Sequence, residues 1–153
     1  MRRSAPLMHI AVCALGAIYL IFASLMLYNW IITVFFPTAK LLYSICGVFI
    51  PPDPGSAIVL ATTGMLLAGS VYYHYDRYKF ISCVLVGSLL GSAILVLQLL
   101  TVIANAIDAQ ILMLYGEIVE YGLKEEIMRP DVLLGIPSAI VLYNSVRELR
   151  KQW

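Results

Sequence analysis

Charged residues are scarce in this chain. Only 12% of its 153 residues are Asp, Glu, Lys or Arg, whereas 61% are hydrophobic. Soluble domains are about one-quarter charged and about one-half apolar, and a soluble protein of this composition would expose large apolar patches. The length allows a single domain. The composition therefore excludes an ordinary soluble domain and predicts an integral membrane protein.

The long hydrophobic runs carry no charged residue at their middle. Proton relays, ion-coupled transporters and voltage sensors usually place ionisable groups at this depth, so the sequence argues against these classes. Asp108 comes closest, and it lies at the end of its run. The chain also has no selectivity filter of the TVGYG kind and no nucleotide-binding loop.

Cysteine is also rare, and its pattern indicates no chemistry. Cys13, Cys46 and Cys83 show no metal-binding or redox spacing. Cys13 and Cys83 lie inside apolar runs, where cysteine usually packs as a small hydrophobic residue. No Ser–His–acid or Cys–His set can be assembled, so we expect no enzyme activity. No basic stripe or base-stacking platform indicates a nucleic-acid partner.

Long apolar runs are abundant, and they predict a fold. We expect an all-α integral membrane protein in which four transmembrane helices form a single domain over residues 1–153. The first run is about twice the ~7–15 residues of a signal peptide, so we interpret it as a retained span. The last is short, but a basic C-terminus follows it. The predicted spans are 8–36, 56–73, 80–105 and 131–146.

Two further segments are too short or too polar to cross a membrane. Residues 38–50 have an apolar centre of about ten residues, which predicts an interfacial helix or a shallow re-entrant turn. The proline-rich stretch 51–55 then reverses the chain. Residues 111–128 are amphipathic and predict a helix between the third and fourth spans. It either lies on the outer membrane surface or extends the third helix outward.

The distribution of charge predicts the orientation. With four spans, the N-terminus, the 74–79 loop and the C-terminus lie on one side of the membrane. The positive-inside rule makes this side cytoplasmic. Both termini are therefore predicted to lie on the cytoplasmic side of the cell membrane. The basic residues on this side are Arg2, Arg3, Arg77, Lys79, Arg147, Arg150 and Lys151.

Small residues on the second and third helices predict close helix packing. Gly87 and Gly91, and likewise Ser88 and Ser92, are four residues apart, which is the small-xxx-small spacing of membrane helix contacts. The motif is common, so it predicts contact and not the identity of a partner. The predicted packing residues are Gly64, Ala68, Gly87, Ser88, Gly91 and Ser92.

Polar residues of the spans fall at one depth when counted from the predicted outer ends. One interpretation is a polar pocket or pathway mouth. The other, which we favour, is hydrogen bonding between helices, because buried polar groups need partners. The residues concerned are Asn29, Thr62, Thr63 and Gln98, with Ser138 at the same depth and Thr101, Asn105 and Asp108 leading outward.

The two histidines, His9 and His74, lie near the predicted cytoplasmic ends of their helices. Adjacent antiparallel helices could bring them to a similar depth, which is the minimum needed for bis-histidine ligation of haem b. The simpler interpretation is two interfacial histidines with their polar edges among lipid headgroups. Only Asp76 could orient either ring.

These observations leave three functional hypotheses. The preferred one is a non-catalytic, partner-binding subunit of a larger membrane complex, for example an energy-converting or respiratory one. It would contact lipid and other integral membrane subunits, and it would need no metal or cofactor. The alternative is a small homo-oligomeric channel or transporter that uses the polar residues around Gln98. The third is a small b-type cytochrome that uses His9 and His74.

Overall fold

A computed structural model describes residues 5–36, 44–45, 48–74, 77–115, 122 and 126–150. This part of the chain is almost wholly helical, as the sequence predicts. A short strand pair separates the first two helices, and a 3₁₀ segment links the second helix to the third. The elements are α1 (Ala5–Phe35), β1 (Ser44–Ile45), β2 (Val48–Phe49), α2 (Pro54–Ala68), η1 (Gly69–His74), α3 (Arg77–Leu114) and α4 (Pro130–Arg150).

Three of the helical stretches are long and apolar enough to cross a membrane: His9–Phe35, Pro54–Val71 and Tyr78–Leu114. The prediction of a helical, membrane-embedded chain is therefore confirmed. The 21 residues of α4 extend over about 32 Å at ~1.5 Å per residue. However, α4 is not among the three apolar stretches, and a fourth crossing stays a prediction.

The start of α2 shows how local sequence sets a helix boundary. Asp53 is the N-cap, and its Oδ1 accepts a hydrogen bond from Gly55 N at 2.9 Å. Pro54 follows at the first helical position, where its missing N–H costs no hydrogen bond. After Ala68 the chain tightens into η1 at Gly69.

The helices associate as two pairs. α1 packs mainly along α2, and α3 packs mainly along α4. α2 and η1 join the pairs by contacting α3, whereas α1 meets α4 over a short stretch. The buried apolar side chains between them include Val12, Leu15, Tyr19, Met26, Leu60, Leu67 and Val84.

The described part of the predicted interfacial segment 38–50 contains a short antiparallel strand pair and no helix. Ser44 pairs with Phe49 and Ile45 with Val48. Phe49 N also donates to Met128 O at 3.0 Å, which ties the strand pair to the residues before α4. Pro51 and Pro52 follow directly and would prevent a helix from continuing.

Within the predicted amphipathic segment 111–128, the structure describes residues 111–115, 122 and 126–128. Its first residues continue α3 as far as Leu114. Residues 116–121 and 123–125 lie outside the described part of the chain, so the orientation of this segment stays open.

Candidate functional site

α1 and α2 approach each other closely at Gly16. A Cβ on Gly16 would lie 2.7 Å from Ala68 N and 3.0 Å from Gly64 O, so backbone meets backbone here. A Cβ on Gly64 would lie 2.9 Å from Leu20 Cγ. Gly64 and Ala68, predicted packing residues, are thus placed at this crossing. The sequence analysis missed Gly16 because the residues four positions away, Val12 and Leu20, are large.

The predicted packing glycines of α3 face two different helices. A Cβ on Gly87 would lie 3.1 Å from Leu66 Cβ, on the α2 side. A Cβ on Gly91 would lie 2.7 Å from Ser138 Cβ and 2.9 Å from Tyr19 Oη, where α3 meets both α4 and α1. Each glycine therefore makes room for the helix that it faces.

The two predicted packing serines bond within α3. Ser88 is fully buried, and its hydroxyl donates to Leu85 O at 3.2 Å. Ser92 donates to Ser88 O at 2.7 Å and is half-buried. Because their hydroxyls are satisfied by their own helix, they act here as small side chains and not as interhelical donors.

A buried polar contact joins α1 to α4 in the middle of the bundle. Tyr19 Oη lies 2.9 Å from Leu134 O and 2.8 Å from Ser138 Oγ. Tyr19 is 1% exposed and Ser138 is fully buried. Since an unpaired hydroxyl at this depth would be costly, the contact fixes how α1 and α4 lie against each other. Tyr19 was not identified from the sequence.

Two of the predicted pocket residues lie inside the bundle, with separate partners. Asn29 is fully buried, and its Nδ2 donates to Ile50 O at 3.0 Å. Thr63 is also fully buried, and its hydroxyl donates to Val59 O within α2. Asn29 thus ties α1 to the connector before α2.

The remaining predicted pocket residues face outward or lie at the edge. Thr62 is exposed and bonds to its own helix at Ile58 O. Gln98 is half-buried, whereas Thr101, Asn105 and Asp108 are exposed. The structure therefore gives these polar residues different neighbours and places three of them on the outer surface of α3.

Charged residues meet at the end of the bundle where α2 and α4 begin, which we call the cap end. Arg129 Nη2 lies 3.1 Å from Asp131 Oδ2 and 3.7 Å from Asp53 Oδ2. The Asp131 side chain is 2% exposed. Ser56 Oγ donates to Asp53 Oδ2 at 2.6 Å. This cap cluster (Asp53, Ser56, Arg129 and Asp131) links the two helix pairs.

The environment of Asp53 favours its ionised form. Partial burial acts to raise the pKa of this carboxyl. The hydrogen bonds from Ser56 and Gly55, together with the charge of Arg129, outweigh that effect and hold the pKa of Asp53 below its usual value. The proline-rich sequence predicts only a chain reversal in this region.

At the opposite end of the bundle, which we call the η1 end, His9 packs against Phe80 with ring centroids 6.2 Å apart. Cys83 Sγ would lie 3.1 Å from a Cβ on Gly69. The side chain of His74 lies outside the described part of the structure, so the predicted histidine pair is not tested. Within the described ranges, no group of three potential metal ligands occurs.

Of the three long apolar stretches, the one in α3 is the least buried within the bundle. α3 has 38 residues, or about 57 Å at ~1.5 Å per residue, whereas a bilayer core is about 30 Å thick. Only 22% of its most apolar window is buried. One exposed strip, which we call the docking stripe, consists of Leu97, Thr101, Ala104, Asn105 and Asp108.

No protein-family model matches this chain, and neither a curated protein nor a solved structure matches it. Its function is therefore argued from its own residues.

Proposed function

We propose that this protein is a non-catalytic subunit of a larger membrane protein complex, to which it contributes helix–helix contacts. The observation that supports this proposal is the docking stripe on α3. Polar side chains at Thr101, Asn105 and Asp108 are exposed together on a largely apolar helix. All three side chains lie on the surface of the isolated bundle.

The cost of exposing polar groups beside a bilayer supports a protein neighbour. The Thr101 hydroxyl is satisfied by Leu97 O at 3.0 Å, and Asn105 Nδ2 donates to Glu126 Oε1 at 2.8 Å. Where this strip adjoins the bilayer, up to about residue 105, a neighbouring helix supplies hydrogen bonds that lipid tails cannot. A partner subunit is therefore a better neighbour for this strip than lipid.

The proposal includes a four-span topology, with α4 as the fourth span and both termini on the cytoplasmic side of the membrane. The length of α4 and its packing along α3 support α4 as a span. Arg147 and Arg150 at its last turn agree with the positive-inside rule. A labelling reagent that cannot cross membranes should reach tags on the two termini only after the cell membrane has been permeabilised. Labelling of either tag from outside intact cells would contradict this topology.

The test of function is extraction from the native membrane in a gentle detergent, with mass spectrometry of the co-migrating proteins. We expect companions in a fixed ratio to this chain. A robust monodisperse monomer would contradict the proposal. A homogeneous self-assembly with solute flux that Gln98→Leu abolishes would favour the channel instead. A Soret band in the same fraction would favour the cytochrome, through His9 and His74.

A further inference from the structure

We propose that the docking stripe binds a transmembrane segment of another subunit, and that this segment carries a Lys or Arg where it leaves the bilayer on the cap side. The inference rests on the proposed function and adds the chemistry of the partner. It depends on the shape and the charge of the stripe, which are independent observations.

The shape of the stripe suits a helix. Thr101 and Ala104 are small and exposed, and they lie three residues apart on one side of α3. Small residues allow two helix backbones to approach closely in a membrane. Leu97, which is 65% exposed, lies one turn before them and supplies apolar contact area within the bilayer. Because they are small, Thr101 and Ala104 form a shallow trough beside the larger Leu97 side chain.

The charge of the stripe suits a cation. Asp108 is exposed at the cap-side limit of the trough. A second carboxylate lies beside it, because Glu126 Oε1 accepts a hydrogen bond from Asn105 Nδ2 at 2.8 Å. Arg129 at the cap end is already shared between Asp53 and Asp131. The described residues at this end of the stripe are therefore acidic, and a basic group on the partner complements them.

The same charge argues against a second copy of this chain at the stripe. Two copies in one membrane have the same orientation, so a two-fold interface would place each stripe against itself. Asp108 would then lie near Asp108 of the other copy, with both Glu126 side chains nearby. Like charges at an interface are unfavourable. A partner with a basic boundary residue meets no such repulsion.

The experiment measures recovery, which is the amount of companion protein that co-purifies with the full chain from its native membrane. It compares three variants with the wild type. Asp108→Lys should lower recovery about tenfold or more, as expected for reversal of an interfacial charge pair. Asp108→Asn should lower it less. Gln110→Lys is the matched control, because it adds the same cation to an exposed site about 160° away around α3. Its recovery should equal that of the wild type.

A double reversal completes the test. Changing the boundary Lys or Arg of the identified companion to Glu should restore recovery of Asp108→Lys. If Asp108→Lys and Asp108→Asn both retain their companions, this inference is wrong while the proposed function stands. If the wild type itself has no companions, the proposed function fails instead. Co-purification of two differently tagged copies that depends on Asp108 would also overturn the inference.

Discussion

Gly16→Ala tests the packing of the bundle where the backbones of α1 and α2 meet. The added Cβ would lie 2.7 Å from Ala68 N and 3.0 Å from Gly64 O. Ordinary contacts begin at 3.4 Å, so α1 and α2 would have to separate by about 0.7 Å. Both obstacles are backbone atoms, which cannot rotate away as a side-chain end can. The strain must therefore spread along the helix pair.

The expected magnitude follows from two opposing effects. Overpacking costs about 1–3 kcal/mol, and a backbone obstacle places Gly16→Ala toward the upper end. Replacing Gly by Ala inside a helix returns about 0.5–1 kcal/mol. We therefore expect a net loss of about 2 kcal/mol in the free energy of unfolding.

The assay is SDS-driven unfolding in mixed micelles, followed by circular dichroism. Gly87→Ala should lose less than Gly16→Ala, because its new Cβ would meet only side-chain atoms of Leu66 and Leu67 at 3.1 Å. Ala17→Val adds volume at an exposed neighbour and should be nearly neutral. A loss below about 0.5 kcal/mol for Gly16→Ala, or an equal loss for Ala17→Val, would refute the packing argument.

Three further predictions concern the cap end and use the same unfolding assay. Asn29→Leu should cost roughly 1–3 kcal/mol, because the buried carbonyl of Ile50 loses its donor at 3.0 Å; an unchanged midpoint would contradict this. Arg129→Met should cost about 3–5 kcal/mol by leaving Asp131 buried without its cation, and adding Asp131→Leu should recover much of that loss. Equal losses for the single and double variants would contradict the ion-pair argument. Because the pKa of Asp53 is lowered, its stabilising contribution should be complete above pH 3.8 and disappear as the pH falls through the lower folded-state pKa. Asp53→Asn should remove this pH-dependent loss of stability. A loss of the same size in Asp53→Asn would show that another group causes it.

The membrane helices could be predicted because their signal is local. A long apolar run without charge can satisfy its backbone groups in lipid only as a helix. The 3₁₀ segment η1 and the strand pair β1–β2 could not be predicted in this way. Both are too short for a periodic pattern, and the bond from Phe49 N to Met128 O adds a partner that is distant in the sequence.

Side-chain partners across the bundle could not be derived from periodicity. Counting residues from a helix end gives the depth of a side chain, but it does not tell which way the helix is rotated. Asn29 and Thr62 were therefore placed at one depth, although Asn29 is buried and Thr62 is exposed. The Tyr19–Leu134 contact joins residues 115 positions apart, and no local pattern indicates it.

The mass of the particle extracted gently from its native membrane tests the central claim most directly. A subunit of a larger assembly should migrate well above its own 17.0 kDa, with other membrane proteins in a constant ratio across the peak. A stable particle that contains this chain alone, as a monomer or as whole-number multiples of 17.0 kDa, would contradict the account.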